Sequence, residues 1–167
     1  MTATEDFVES YRAVMQRLAA GVTVVSLRQG ALDLAMTANS VHSVSLRPPM
    51  ILFSVHRDAR FREALDDVDT WAVSLLDGEA RVAADRLASP GRPSAGQLTG
   101  VAHSRGAHSD AALLDDAQGW LECRTAWVKT AGDHDVVVGD VLDARLGSTA
   151  TGALVHHLGR LRPLGGS

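Results

Sequence analysis

The chain has little of several things that usually decide a protein's class. It holds one cysteine, Cys123, in 167 residues. No disulfide can close within it and no thiolate metal cluster can be built, which fits a reducing cytoplasm. Aromatic residues make up only 4%, so the core must rest on valine, leucine and alanine. Positive charge is scarce too. The net charge is −4, whereas a nucleic-acid surface needs a broad basic face. No apolar run approaches the roughly 18 residues of a membrane span. The polar, acidic start, Met1 to Glu9, lacks the basic and apolar regions of a secretory signal. Metal-site spacing is missing among His42, His103 and His108, and adjacent His156 and His157 point to opposite faces of a strand. No Gly-x-Gly-x-x-Gly follows a strand, and neither a Walker loop nor a Gly-x-Ser-x-Gly elbow occurs.

What is present is an ordinary globular composition, 46% hydrophobic and 22% charged, enough for one domain with a buried core. Phe7, Tyr11, Val14, Met15 and Leu18 recur at helical spacing and predict a first helix docked on that core. Thr2 and Glu5 could form its capping box, and Gly21 would end it. The period then changes. β-branched or alternating runs predict strands at 22–27, 32–38, 50–55, 71–76, 120–128, 134–146 and 154–161. Short helices are expected at 58–66 and 79–87. Residues 89–110 form the longest loop, and both a binding loop and a plain surface excursion are open. The tail from 163 to 167 is expected to fray. Closely spaced strands without βαβ alternation predict a mainly β fold with flanking helices. The architecture would be an antiparallel, Greek-key-like barrel, closed or nearly so.

Two segments could carry chemistry. Thr37-Ala38-Asn39-Ser40 and Ser43-Val44-Ser45 offer small hydroxyl and amide side chains between strands. They would let a flat ligand approach the backbone closely. In an extended run Ser43 and Ser45 share a face and Val44 turns to the core. On the residues alone, a polar crossover between two strands explains the stretch slightly better. Gly132-Asp133-His134 opens a later strand, where a lone histidine could be structural or functional. Cys123 reads as a small buried apolar residue.

Taken together these stretches resemble the flavin reductase family, the reductase partners of two-component flavin monooxygenases. The likeness rests on Thr37 to Ser40, Ser43 to Leu46, Pro48-Pro49 and Gly21 to Val25. Ser89-Pro90-Gly91-Arg92-Pro93, Trp120 to Cys123 and Gly132 to His134 add to it, from about Phe7 to Arg160. The resemblance implies a split β-barrel of the FMN-binding type and a homodimer. It implies hydride transfer from NADH or NADPH to FMN or FAD, and release of diffusible reduced flavin to a separate oxygenase or halogenase. By resemblance Thr37, Ala38, Asn39, Ser40, Ser43, Val44 and Ser45 would wrap the flavin ring, and His134 would stand where the nicotinamide stacks. Arg57, Ala59, Arg60 and Phe61 match the phosphate-binding stretch, and Ser89 is placed in the cofactor site with them. The chain departs from the pattern in places. Val41 and His42 replace an aromatic and a threonine, Ala59 and Phe61 replace two hydroxyls, Leu87 replaces a phenylalanine, and His156 to Leu161 replaces a tyrosine-rich run. The loss of the hydroxyls implies loose flavin binding. A second reading is a module of the same fold that holds flavin or haem without reducing it.

Overall fold

The structure is a computed structural model that describes residues 3–89, 91–147 and 152–165. It opens with helix α1 (Ala3–Met15), the short strand β1 (Ala20–Gly21), and the hairpin of β2 (Thr23–Gln29) and β3 (Leu32–Ala38). Next come β4 (His42–Leu46), β5 (Pro49–His56), α2 (Arg60–Ala64), β6 (Thr70–Leu76) and α3 (Arg81–Ala88). The second half holds β7 (His103–Arg105), β8 (Ala112–Leu114), β9 (Ala117–Ala131), β10 (His134–Leu146), β11 (Leu154–His157) and β12 (Arg160–Pro163). Seven strands form one antiparallel sheet in the order β3-β2-β6-β9-β10-β5-β4. The expected mainly β, antiparallel class is what folds.

The few aromatics are spent in one place. Phe53 lies edge-on to Trp71, centroids 4.9 Å apart, and to Phe61 at 6.1 Å. Around them the buried side chains are Val25, Leu27, Leu34, Val55, Val73 and Val137. A second cluster, with Leu76, Leu87, Leu98 and Leu154, fills the space under α3 and the long loop. Trp71 fits because β10 has glycine at 139: a Cβ there would stand 2.5 Å from the indole.

Several expectations are corrected. The apolar stripe of α1 does not dock on the core: Phe7 is 70% exposed and Val14 67%. The helix also stops at Met15 rather than Gly21, because the chain must turn there to enter β1. The run 154–161 is not one strand. Leu158 and Gly159 both take positive φ, the geometry of a tight hairpin turn, and split it into β11 and β12. Leucine is an unusual residue for that conformation, so the turn left no sequence signal. The stretch after Ser40 contains a strand, β4, pairing with β5 through a register shift between Ser43 and Ser45. The bulge breaks the alternation, and Val44 is exposed instead of facing the core. Thr2 of the expected capping box and the last two residues of the tail lie outside the described residues.

Candidate active site

A cavity of about 630 Å³ opens between β3, the end of β5, the start of α2 and the end of α3. That size lies within the range of small-molecule and cofactor sites. It is the point where the two sequence segments meet. Thr37, Ala38, Asn39 and Ser40 line one side; Ala59, Arg60, Phe61 and Ser89 close another; His134 stands at its lip. Ser43, Val44, Ser45 and Arg57 do not line it. The bulged β4 carries the first three elsewhere. Arg57 faces a separate crevice with Arg62, Asp66 and Asp135.

Several lining residues are already committed by the fold. Thr37 Oγ1 donates to the carbonyl of Ala84, 2.6 Å, tying the end of β3 to α3. Ser40 Oγ accepts from the Ser54 N–H at 3.0 Å and donates to its carbonyl at 3.3 Å. Ser40 therefore spans the gap between the β3–β4 connection and β5. Phe61 is a core residue, 5% exposed. Asn39 Nδ2 lies 3.4 Å from His156 Nδ1. There it borders a smaller cavity that Arg81, Asp85 and Arg160 help to line.

The long loop is tied down as a wall. Strand β3 is a sheet edge, so its outward backbone groups need partners. At Ala35 the N–H donates to Gln97 Oε1, 2.9 Å, and the carbonyl accepts from Arg92 NH2, 2.8 Å. Arg92 NH1 also donates to the Ser89 carbonyl. Its Nε is buried with no partner among the described residues, and burial pushes the guanidinium's pKa down. Arg60 donates to Ser94 Oγ of the same loop. Two cations, Arg60 and Arg92, thus border the cavity. In the sequence Arg92 stands out only within a matched motif, and Gln97 does not stand out at all. Their edge-capping bonds span roughly sixty positions and carry no local signal.

His134 is held from below. Gly132, at φ +68°, makes the turn between β9 and β10, a conformation that glycine adopts without strain. The Arg57 N–H donates to the Asp133 carbonyl at 3.0 Å, which fixes this turn to the end of β5. His134 Nδ1 and Asp133 Oδ1 are 2.7 Å apart. The hydrogen bond to His134 holds the Asp133 carboxyl below its usual range. As an ionised acceptor it leaves the proton on His134 Nδ1. His56 pairs with His134 in register, their rings edge to face with centroids 5.2 Å apart, and it too lines the cavity. In the sequence it looks like an ordinary strand end.

Among the described residues, no group of three or more His, Cys, Asp or Glu is placed to hold a metal ion. Among the same residues, no helix is long and apolar enough to cross a membrane. The donors around the cavity are instead small hydroxyls, two amides, two guanidiniums and two imidazoles, set against apolar walls from Leu34, Met36, Val55 and Leu87. A flat ring with a polar edge and an anionic tail fits that donor set.

Comparison with known proteins places the chain among similar molecules. A family model described as "Flavin reductase like domain" matches residues 15–165. The solved structure of BorF, the flavin reductase component of a bacterial two-component tryptophan halogenase, is 37% identical with a TM-score of 0.88, covering 96% of this chain and 99% of that one. The NADH:FAD oxidoreductase of Streptomyces globisporus, solved with NAD and FAD fragments, is 33% identical with a TM-score of 0.88, covering 99% and 96%. An NADH-dependent FMN reductase of Streptomyces nodosus subsp. asukaensis is 36% identical over 160 residues, 93% of this chain and 84% of that protein.

Proposed function

Because the chain belongs to the flavin reductase-like domain family, we propose that it is an NAD(P)H-dependent flavin reductase. It reduces FMN or FAD and passes the reduced flavin to a separate oxygenase or halogenase. The observation that carries this reading is the single cavity joining Thr37–Ser40 to His134. When bound, the flavin supplies the hydride-accepting centre, and the nicotinamide supplies the hydride. The chain supplies binding, orientation and charge. Ala38 and Ala59 leave room for close approach to backbone. Arg60 and Arg92 offer charged donors to a phosphate. His134, oriented through Nδ1 by Asp133, lines the cavity, and among the described residues its Nε2 makes no hydrogen bond. Without hydroxyls at Ala59 and Phe61 the phosphate has fewer partners, so flavin exchanges and behaves as a substrate. Purified protein is expected to oxidise NADH rapidly only when free FMN or FAD is added. Turnover no faster than the buffer background sinks the reading.

Arg60→Ala is expected to weaken FMN by roughly tenfold while leaving riboflavin nearly unchanged, the loss of about one charge-assisted hydrogen bond. Flavin fluorescence titration measures both. Equal weakening of the two ligands removes Arg60 from the phosphate.

We further propose that the protein works as a homodimer in a reducing cytoplasm. The exposed Phe7, Tyr11 and Val14 of α1, Leu18 just after it, and Val44 and Leu46 of β4 leave an apolar surface that a second copy can cover. Light scattering after size exclusion should return twice 17.7 kDa; a single-chain mass overturns the proposal. Burial pushes the Cys123 thiol up to about 12, which leaves it protonated and inert.

A further inference from the structure

We propose that His56 is a specificity residue of the same cavity. With His134 it forms a two-histidine clamp for the primary carboxamide of a reduced nicotinamide. The inference rests on the reductase reading and adds a residue and a ligand group to it.

The protonation of the two rings follows from their partners. The backbone N–H of Asp58 points at His56 Nδ1, 3.2 Å. A backbone N–H only donates, so His56 Nδ1 accepts and the ring proton sits on Nε2. The Asp58 carboxylate, 3.9 Å away at its nearest, makes no hydrogen bond at that distance. At His134 the pattern is reversed. Nδ1 donates to Asp133, so in the neutral ring Nε2 is a lone-pair acceptor. Among the described residues no hydrogen bond uses either Nε2. The two rings stand at one lip of the cavity, 5.2 Å between centroids and 74° apart, and both line it.

Two neighbouring rings that line the cavity therefore carry one unused donor and one unused acceptor between them. A primary carboxamide carries the complement, a carbonyl that accepts and an NH2 that donates. Its carbonyl takes the His56 Nε2–H and its NH2 donates to His134 Nε2. The register of β10 on β5, which sets His134 opposite His56, fixes the spacing. The Arg57–Asp133 backbone bond locks it. Neither ring is buried: the side chains are 48% and 44% exposed. A ligand can therefore reach both without displacing core.

Three measurements test this. Nitrogen NMR on the ligand-free, histidine-labelled protein should find His56 protonated at Nε2 and His134 at Nδ1; His56 protonated at Nδ1 overturns the clamp. In NADH titrations of flavin-free protein, His56→Leu should raise the NADH Kd about tenfold, the worth of one hydrogen bond. FMN affinity should stay within twofold. His56→Gln, which keeps a donor, should recover most of the loss. The reduced thionicotinamide analogue, whose sulfur accepts weakly, should be affected much less by His56→Leu than NADH is. An unchanged NADH Kd overturns the proposal. So does a parallel loss of FMN affinity, which would place the flavin edge, not the carboxamide, on His56. Failure of the unmodified protein to oxidise NADH with added flavin would instead remove the reductase reading itself.

Discussion

Replacing His134 with alanine is expected to lower the rate of hydride transfer by about a hundredfold while leaving flavin affinity within twofold. The size follows from the cost of removing one preorganised polar group from a site where charge develops, on the order of 10²–10³ in rate. His134 meets the requirement of preorganisation. It opens β10, its Nδ1 is held at 2.7 Å by Asp133, and the turn beneath it is pinned by Gly132 and by the Arg57 N–H. Its ring sits at the lip rather than the floor of the cavity. Alanine there leaves the Thr37–Ser40 side and Arg60 intact, and with them the contacts proposed for the flavin. Stopped-flow measurement of flavin reduction at saturating NADH reads the step directly. A rate unchanged within twofold would make His134 a structural strand residue.

The second large effect is on stability. Glu122, on β9, is 1% exposed, yet its carboxylate is fully partnered. It accepts from the backbone N–H of Ala107 at 3.1 Å and from those of His108 and Ser109, both at 2.8 Å. Ser109 Oγ donates at 2.8 Å and Arg145 at 3.0 Å. One side chain thus anchors the far end of the long loop to the central sheet. Glu122→Gln keeps the shape but turns an NH2 toward those donors and removes the charge opposite Arg145. A loss of about 3–5 kcal/mol is expected, the usual cost of breaking a buried, hydrogen-bonded ion pair. Urea unfolding at neutral pH measures it; a loss below 1 kcal/mol would show the loop is held by other contacts.

The same carboxylate carries a pH signature. Burial alone raises its pKa, but the hydrogen bonds from Ser109 Oγ and the His108, Ser109 and Ala107 amides outweigh burial and bring it below 4.5. A folded-state pKa lowered relative to the unfolded chain means that the stabilisation is complete above about pH 4.5 and disappears as pH falls through the folded value. Asp135 shifts the same way, held down first by Arg62 and then by Thr130. The stability difference between wild type and Glu122→Gln should therefore narrow below pH 4.5, and a gap independent of pH would exclude an ionised Glu122.

Periodicity made most of the fold legible. The β3 strand and the β10 strand run as the alternation predicts, from Leu32 to Ala38 and from His134 to Leu146. What periodicity could not show were features set by single residues against their type. Leu158 adopts a positive φ that leucine rarely takes, and the bulge at Ser43–Ser45 shifts the alternation by one residue. The apolar stripe of α1 forms a helix but does not dock on the core as expected, because a stripe does not say what covers it.

The candidate site divides in the same way. Local sequence alone determined the small, polar character of Thr37–Ser40 and the glycine turn before His134, because backbone approach and a positive φ are requirements on the residue itself. Only the tertiary structure decided which arginine faces the cavity, that Arg92 and Gln97 cap the β3 edge, that Glu122 clamps the loop, and that His56 stands against His134. Those pairings join residues dozens of positions apart through strand register and side-chain reach. Such contacts depend on where the whole sheet puts each backbone, and no window of sequence encodes that by itself.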